Sequence, residues 1–339
     1  MQNIMIAGIG GASLGTEVRK CLSLAGDYVV QGCDISPQAY GHYDAGFSRT
    51  FLIPPDRYLP SVVAACLETD CRCIIPGGEK PMLLLAAGND VLRANGITLL
   101  SNHPDVVSLC SDKGACFDFL GSRGIRIPRT APAADAETVG AVGFPCIVKP
   151  ATGSGGSAMV FFASKAEDAL LYAKYIENSG SVPLVQEYLP ETEGEFTVGV
   201  LSLPSGECVG SIGLRRSLSA KLSVQSRFRD GVISSGYTQG YIADFPAIRA
   251  TAEAIAKAIG SRGPLNIQGR VQDGEFVPFE INPRFSASTY LRALAGFNEV
   301  DMLLRHVIHG ERPRPAPPRE GWYLRSLTET FVSPEQLKQ

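Results

Sequence analysis

The chain has 339 residues, 45% of them hydrophobic and 19% charged, with a net charge of −3 at neutral pH. That length suits two or three domains with ample hydrophobic core, and the charge gives no electrostatic reason to bind nucleic acid or an anionic membrane. No apolar run reaches the ~20 residues that a membrane span requires. The nine cysteines are odd in number, scattered and without a CxxC pair, so they read as reduced, buried thiols of a cytoplasmic protein.

The opening "MQNIMIAGIGG" lacks a basic n-region and a cleavage site and is expected to enter a strand directly. Asn3 to Ala7 is apolar, a glycine loop follows from Gly8 to Gly15, and a helix is expected from about Thr16 to Ala25. The runs "YVVQGCDIS", "RCIIPGG" and "ITLLSN" read as further strands. This βαβ rhythm implies a parallel sheet covered by helices. The glycine loop, with Asp34 ending the second strand, has the outline of a dinucleotide fingerprint, except that Ser13 stands at its third glycine position. It reads either as a cofactor loop or as a tight turn of a Rossmann-like scaffold.

A helix is expected to start at Ser111-Asp112 and to close at Gly124. Lys113 in its first turn opposes the positive end of the helix dipole, a cost of about 0.3–1 kcal/mol that a nearby anion would offset. Next, an apolar strand from Cys146 ends in Lys149-Pro150 and runs into the small-residue loop 152–157. This is no Walker A loop, because the lysine precedes the glycines and a strand follows. The loop still permits backbone N–H groups to approach phosphate, with Lys149 as the charge; a plain hairpin loop is the other reading. In "PLVQEYLPETEGEFTVGV" a strand ends at Gln186-Glu187-Tyr188-Leu189 and another opens at Glu195. Free backbone groups there suit a purine edge, and a carboxylate suits ribose hydroxyls.

The segment "GPLNIQGRVQDGEFVPFEINPRF" reads as a β-hairpin. Strand alternation puts Glu280 and Asn282 on one face and Phe279 and Ile281 on the other. A three-residue loop, Gln272-Asp273-Gly274, is expected, because a two-residue turn would pair Gln268 with Phe279 on the wrong side. In that register Gln268, Glu280 and Asn282 offer three oxygen ligands to a hard cation such as Mg²⁺. One carboxylate and two amides carry too little charge alone, so phosphate oxygens should complete the shell. Arg284, beyond the proline, would then stabilise a transferring phosphoryl group.

These pieces, in this order, resemble the ATP-grasp superfamily, especially ligases like the large subunit of carbamoyl-phosphate synthetase. The motifs "SDK", "IVKPATGSGGS", "VQEYLPETEGEFTVGV", "NIQGRV" and "FEINPRFS" carry the resemblance, with "EINPR" the most specific. The fold it implies is α/β and α+β: a Rossmann-like pre-ATP-grasp domain over 1–108, then an ATP-grasp domain over 109–312, with a small lobe about 120–190 and a large lobe about 191–312. Residues 313–339 would form a proline-rich linker and a last strand packed on the body.

By that resemblance Lys113 and Lys149 would contact ATP phosphates, and Ser154, Gly155 and Gly156 would cover them. Glu187, Tyr188 and Leu189 would hold adenine, and Glu195 the ribose. Glu280 would bridge two Mg²⁺ ions (Mn²⁺ could substitute), with Gln268 on one and Asn282 on the other, and Arg284 would steady the γ-phosphate. The implied activity is ATP-dependent joining of a carboxylate to an amine or other nucleophile through an acyl phosphate. A catalytically silent nucleotide-binding regulator on the same fold is the alternative. The segment "GLRRSLSAKLSVQSRFRDG" matches no particular ligase, but its density of Arg215, Arg216, Lys221, Arg227 and Arg229 suggests an anionic substrate, with Arg292 a further candidate. Only one ATP-grasp unit is expected. The partners are small-molecule acids and amines, and a homodimer is compatible with the sequence.

Overall fold

A computed structural model describes residues 1–153 and 159–338, so the loop residues Ser154, Gly155 and Gly156 lie outside the described residues. The first part alternates β1 (Gln2–Ala7), α1 (Leu14–Ala25), β2 (Tyr28–Asp34), β3 (Arg49–Leu52), α2 (Tyr58–Glu68), β4 (Cys73–Pro76), α3 (Glu79–Ala87), α4 (Asn89–Ala94) and β5 (Thr98–Leu99). The strands form one parallel sheet in the order β3-β2-β1-β4-β5. Ile4–Ala7 of β1 and the whole of β4 are buried apolar runs because helices cover both faces. The chain reverses direction across the sheet between β1 and β4.

Two helices, α5 (Pro104–Ser111) and α6 (Lys113–Ser122), lead out of this sheet. Asp112 caps α6, its carboxylate accepting from the Ala115 N–H at 3.0 Å, and Gly124 follows the helix end with positive φ. A four-stranded antiparallel sheet comes next, built from β6 (Thr130–Pro132), β7 (Cys146–Pro150), β8 (Phe161–Ala163) and β9 (Pro183–Glu187) in the order β6-β9-β7-β8. Helices α7 (Ala136–Val142) and α8 (Ala166–Asn178) seal one face with Val139, Val142, Ala169, Ala173 and Ile176.

The remaining strands are β10 (Glu195–Ser202), β11 (Cys208–Arg216), β12 (Val224–Phe228), β13 (Gly231–Ser234), β14 (Gly240–Ile242), β15 (Pro264–Gln272), β16 (Glu275–Asn282) and β17 (Gly321–Tyr323). Six of them form an antiparallel sheet ordered β16-β15-β10-β11-β14-β17, while β12 and β13 pair separately. Helix α9 (Pro246–Ala258) packs on one face, joining Ile255 to Val198, Ile267, Phe276 and Ile281. Behind the other face lie α10 (Thr289–Leu294) and α11 (Glu299–His309). Their core is continuous with β1 and α1: Ile4, Val18, Leu22, Phe285, Leu291 and Leu304 form a single cluster. The parallel sheet is therefore fixed to the antiparallel one by apolar packing.

The β15–β16 turn departs from expectation. Gln272 pairs with Glu275, leaving a two-residue turn with Asp273 at φ 55° and Gly274 at φ 76°, the left-handed pair that suits a tight hairpin. Gln268 nevertheless faces Glu280, because the register shifts between Gln268 and Gly269. Phe279 is the extra residue of a β-bulge. The apolar pattern agrees: Phe276 and Ile281, five positions apart, both enter the core with Ile267. Phe279 itself lines the opposite cleft rather than the core that strict alternation assigned to it. Gly269 is needed beside the bulge, since a Cβ there would sit 2.5 Å from the Val277 carbonyl oxygen.

Candidate active site

The cleft between the two antiparallel sheets encloses about 90 Å³, and about 650 Å³ with its open mouth. Its small-lobe wall comes from β7 and β9. Lys149, the penultimate residue of β7, is buried among Ile147, Gln186 and Phe279. Its ammonium donates to Gln186 Oε1 at 2.8 Å and to the Phe279 carbonyl at 3.0 Å. Burial pulls its pKa down to about 7, against the pull of the Glu280 carboxylate, while Lys113 lowers it further. Lys113 stands at the start of α6 on the same cleft.

At the end of β9 the residues Glu187, Tyr188 and Leu189 line the cleft. The Glu187 carboxylate turns away, accepting from the backbone N–H of Arg129 at 3.1 Å and its guanidinium at 3.2 Å. Tyr188 donates to Glu191 at 2.6 Å and accepts from the Val232 N–H at 2.8 Å, which ties β9 to the β12–β13 hairpin. Phe162 stacks edge-on against Tyr188, at 5.0 Å between centroids, and face-on against Phe228. The Leu189 N–H has no partner among the described residues, so the cleft offers one unmet backbone donor beside an apolar wall of Ile147, Val160 and Ile233.

On the opposite wall Gln268 and Glu280 meet across β15 and β16, the amide donating to the carboxylate at 2.6 Å. Asn282 follows on the same face, and its Nδ2 is buried without a partner among the described residues. Arg284 donates to the Phe285 carbonyl at 2.9 Å and to Asn282 Oδ1 at 3.4 Å. Its guanidinium pKa is drawn down by burial and restored in part by Glu280 and Glu79. Glu280 lines the main cleft, a small cavity beside Lys113 and Asn282, and a third chamber. That chamber is walled by Arg284 and by the hydroxyls of Thr197, Ser235, Thr238 and Ser286.

Several expected residues stand elsewhere. Glu195 is not available to a ribose. It is 1% exposed, and its two oxygens accept from Arg216 at 2.9 Å and Arg270 at 2.8 Å. Burial alone would raise its pKa, but the two guanidiniums hold the carboxyl below its usual range. Arg292 is likewise no free substrate cation. Fully buried, it pairs with Glu299 at 3.2 Å and donates to Thr197 at 3.0 Å and Asn266 at 2.6 Å. Arg215 and Lys221 are exposed and line none of the cavities described. Arg216 points inward from the neighbouring position of β11, because successive side chains alternate. Gln186, Arg270 and the hydroxyl-bearing chamber belong to the site although the sequence assigned them no role in it. The alternation of "LVQE" and "NIQGR" marked Gln186 and Arg270 as cleft-facing, whereas nothing local to Ser235 or Thr238 announced a site.

The polar face fits a hard divalent cation. Its donors are all oxygen, and among the described residues no cluster of three or more His, Cys, Asp or Glu competes for a softer metal. The Asn282 oxygen is held only by the long 3.4 Å bond from Arg284, and turning the Gln268 amide to present its oxygen beside Glu280 would give up an equally long bond from Arg216.

Residues 181–330 match the family model described as ATP-grasp in the biosynthetic pathway with Ter operon. The carbamoyl phosphate synthase large chain of Streptomyces avermitilis is 27% identical over 215 residues, which cover 62% of this chain and 19% of that protein. That of Kineococcus radiotolerans is 28% identical over 217 residues, again 62% and 19%. This chain thus spans about a fifth of the curated relatives it matches. Among solved structures, the biotin carboxylase domain of Hydrogenobacter thermophilus 2-oxoglutarate carboxylase superposes with TM-score 0.66 at 18% identity, over 92% of this chain and 70% of that one. The L-amino acid ligase of Bacillus licheniformis gives TM-score 0.66 at 15% identity, over 94% and 75%. Residues 181–330 thus match an ATP-grasp family model, about three-fifths of the chain is similar to the carbamoyl phosphate synthase large chains, and the fold is shared with the biotin carboxylase domain and the L-amino acid ligase.

Proposed function

We propose that the protein is a ligase that joins a carboxylate to an amine or other nucleophile at the expense of ATP. One observation carries the reading. Glu280 borders the cleft that holds Lys113 and Lys149 on one side and a hydroxyl-lined chamber containing Arg284 on the other. Two reactants placed in these spaces would meet at its carboxylate. The purine edge would use the unmet Leu189 N–H, and the phosphates would lie between Lys113, Lys149 and Glu280. With Glu195 committed to Arg216 and Arg270, the ribose must find its partner elsewhere along the cleft rim.

In the first half-reaction an oxygen of the substrate carboxylate attacks the γ-phosphorus, the bond to the β-phosphate oxygen breaks, and ADP leaves. In the second, the nucleophile attacks the acyl carbon, loses its proton, and expels inorganic phosphate. This chemistry needs positioning and charge neutralisation more than a protein nucleophile. Arg284 orients the carboxylate and faces the charge that builds on the transferring group. Lys149, dry and poised near neutrality, donates to phosphate oxygen. Gln268, Glu280 and Asn282 would hold two Mg²⁺ ions (Mn²⁺ could replace them), which shield the polyphosphate charge when bound. The catalytically silent alternative requires nucleotide binding without a second reactant, and the chamber beside Arg284 argues against it.

The test is release of ADP and phosphate from ATP and Mg²⁺ in the presence of panels of acids and amines. Acid-dependent turnover that requires Glu280 supports the ligase. Tight ATP binding with no turnover on any panel would favour the regulator.

A further inference from the structure

The roomiest cavity described lies neither between the lobes nor beside Glu280. It encloses about 340 Å³ in the first domain, where the loops after β1 and β4 diverge. In open α/β sheets this switch point is where a crevice forms outside the carboxyl ends of the strands. Two helices begin at it. The β1 loop, Gly8 to Ser13, enters the twelve-residue α1, and Gly77-Gly78 enters the nine-residue α3. The two loops press together closely: a Cβ on Gly77 would lie 1.9 Å from the Gly8 carbonyl oxygen, and so would one on Gly15. Gly15 thus supplies the close helix–strand approach for which Ser13 is unsuited.

The chemistry of the lining is graded. Among the described residues, the backbone N–H groups of Gly10, Ser13 and Gly78 on this lining have no acceptor, and Lys80 adds a cation on the first turn of α3. These favour an oxyanion. Across the cavity stands Asp34, whose oxygens accept from the Ile9 N–H at 2.8 Å and the Ser36 N–H at 2.9 Å and retain free lone pairs. Tyr58, beside it, has a buried hydroxyl with no partner among the described residues. Its pKa is pushed far up by burial and by nearby Cys33 and Asp34, so the group stays a donor. Ile35, Pro55 and Leu84 supply apolar wall between.

We propose that this cavity is a second small-molecule site, taking a metabolite with a phosphate or carboxylate head and a hydroxyl or amine within reach of Asp34 and Tyr58. A dinucleotide fits less well, because Asp34 is already braced to the loop backbone and the Ile9 carbonyl is bound by the Gly41 N–H at 2.8 Å, which folds the next segment over the loop. The turn that closes the cavity also borders the reacting centre, since Glu79, between Gly78 and Lys80, lines the small cavity shared by Lys113, Glu280 and Asn282.

The experiment is isothermal titration of the full chain, saturated with a non-hydrolysable ATP analogue and Mg²⁺, using glycerol 3-phosphate, D-glycerate, inorganic phosphate and NAD as separate probes. Glycerol 3-phosphate or glycerate should bind, the one preferred telling phosphate from carboxylate. Lys80→Ala should weaken that binding about tenfold or more, the scale of one charge-assisted hydrogen bond. Tyr58→Phe, which keeps the ring packing, should weaken it about threefold or more with unchanged melting temperature. Absence of binding by both at about 10 mM, binding indifferent to both substitutions, or displacement by NAD would overturn the proposal. Failure of the ATP analogue to bind while glycerol 3-phosphate still does would sink the ligase reading and leave this one standing.

Discussion

The Gln268 amide donates to the Glu280 carboxylate at 2.6 Å across two strands whose register is shifted by one residue at Phe279. The contact fixes the carboxylate where three cavities meet. Glu280→Gln removes the charge but keeps the volume. Turnover should fall by about a hundredfold or more, the loss expected when a group that organises phosphoryl transfer is removed. The melting temperature should move little, because Glu280 is only half-buried. Steady-state ADP release and a thermal melt check both. A collapse of the melt instead would make the residue structural.

Lys149 should make nucleotide affinity depend on pH. Its pKa of about 7 in the free protein means that the ammonium is lost as the pH rises through neutrality. Affinity for ATP should therefore be greatest below pH 7 and decline by up to about tenfold per unit above it. Lys149→Met should be weaker throughout and flat. Folding stability runs the other way: between pH 7 and the ordinary lysine value the unfolded chain binds more protons, so stability rises with pH across that window. Calorimetric titrations at several pH values, with chemical denaturation alongside, separate the two slopes.

Glu195→Ala should destabilise rather than impair ribose recognition. It leaves Arg216 and Arg270 buried against each other, and breaking such a pair costs about 3–5 kcal/mol. The ratio of affinities for ATP and 2′-deoxy-ATP should not change in whatever fraction remains folded. A changed ratio without loss of stability would restore the ribose role.

Arg292 should behave as a support to the chamber, not as a ligand. Arg292→Met strands Glu299 and frees Thr197 and Asn266, both on the chamber wall. A loss of about 3 kcal/mol or more is expected, visible in urea unfolding. A raised KM for the acid at unchanged stability would contradict it.

Much of this was written in local patterns. The apolar runs of β1 and β4, the Asp112 cap and the polar ladder ending in Asn282 follow from periodicity and capping chemistry, which act over a few residues. What escaped depends on distant partners. Glu195 looks like any strand-opening acid until Arg216 and Arg270 arrive from two other strands. Arg292 looks like a helix-surface cation, yet α10 lies behind the sheet, where Glu299 and Asn266 enclose it. The chamber is assembled from four segments spread between Thr197 and Ala287, so no short window contains it.

The bulge carries a last implication. The ladder could be knitted without Phe279: Pro278 opposite Gly269 and Glu280 opposite Gln268 are consecutive rungs. The surplus residue serves another purpose, since its main-chain oxygen is what the Lys149 ammonium grips from the other sheet. Excising that single position should leave the hairpin intact while loosening the clasp between the lobes, a separation of architecture from grip that no side-chain substitution could achieve.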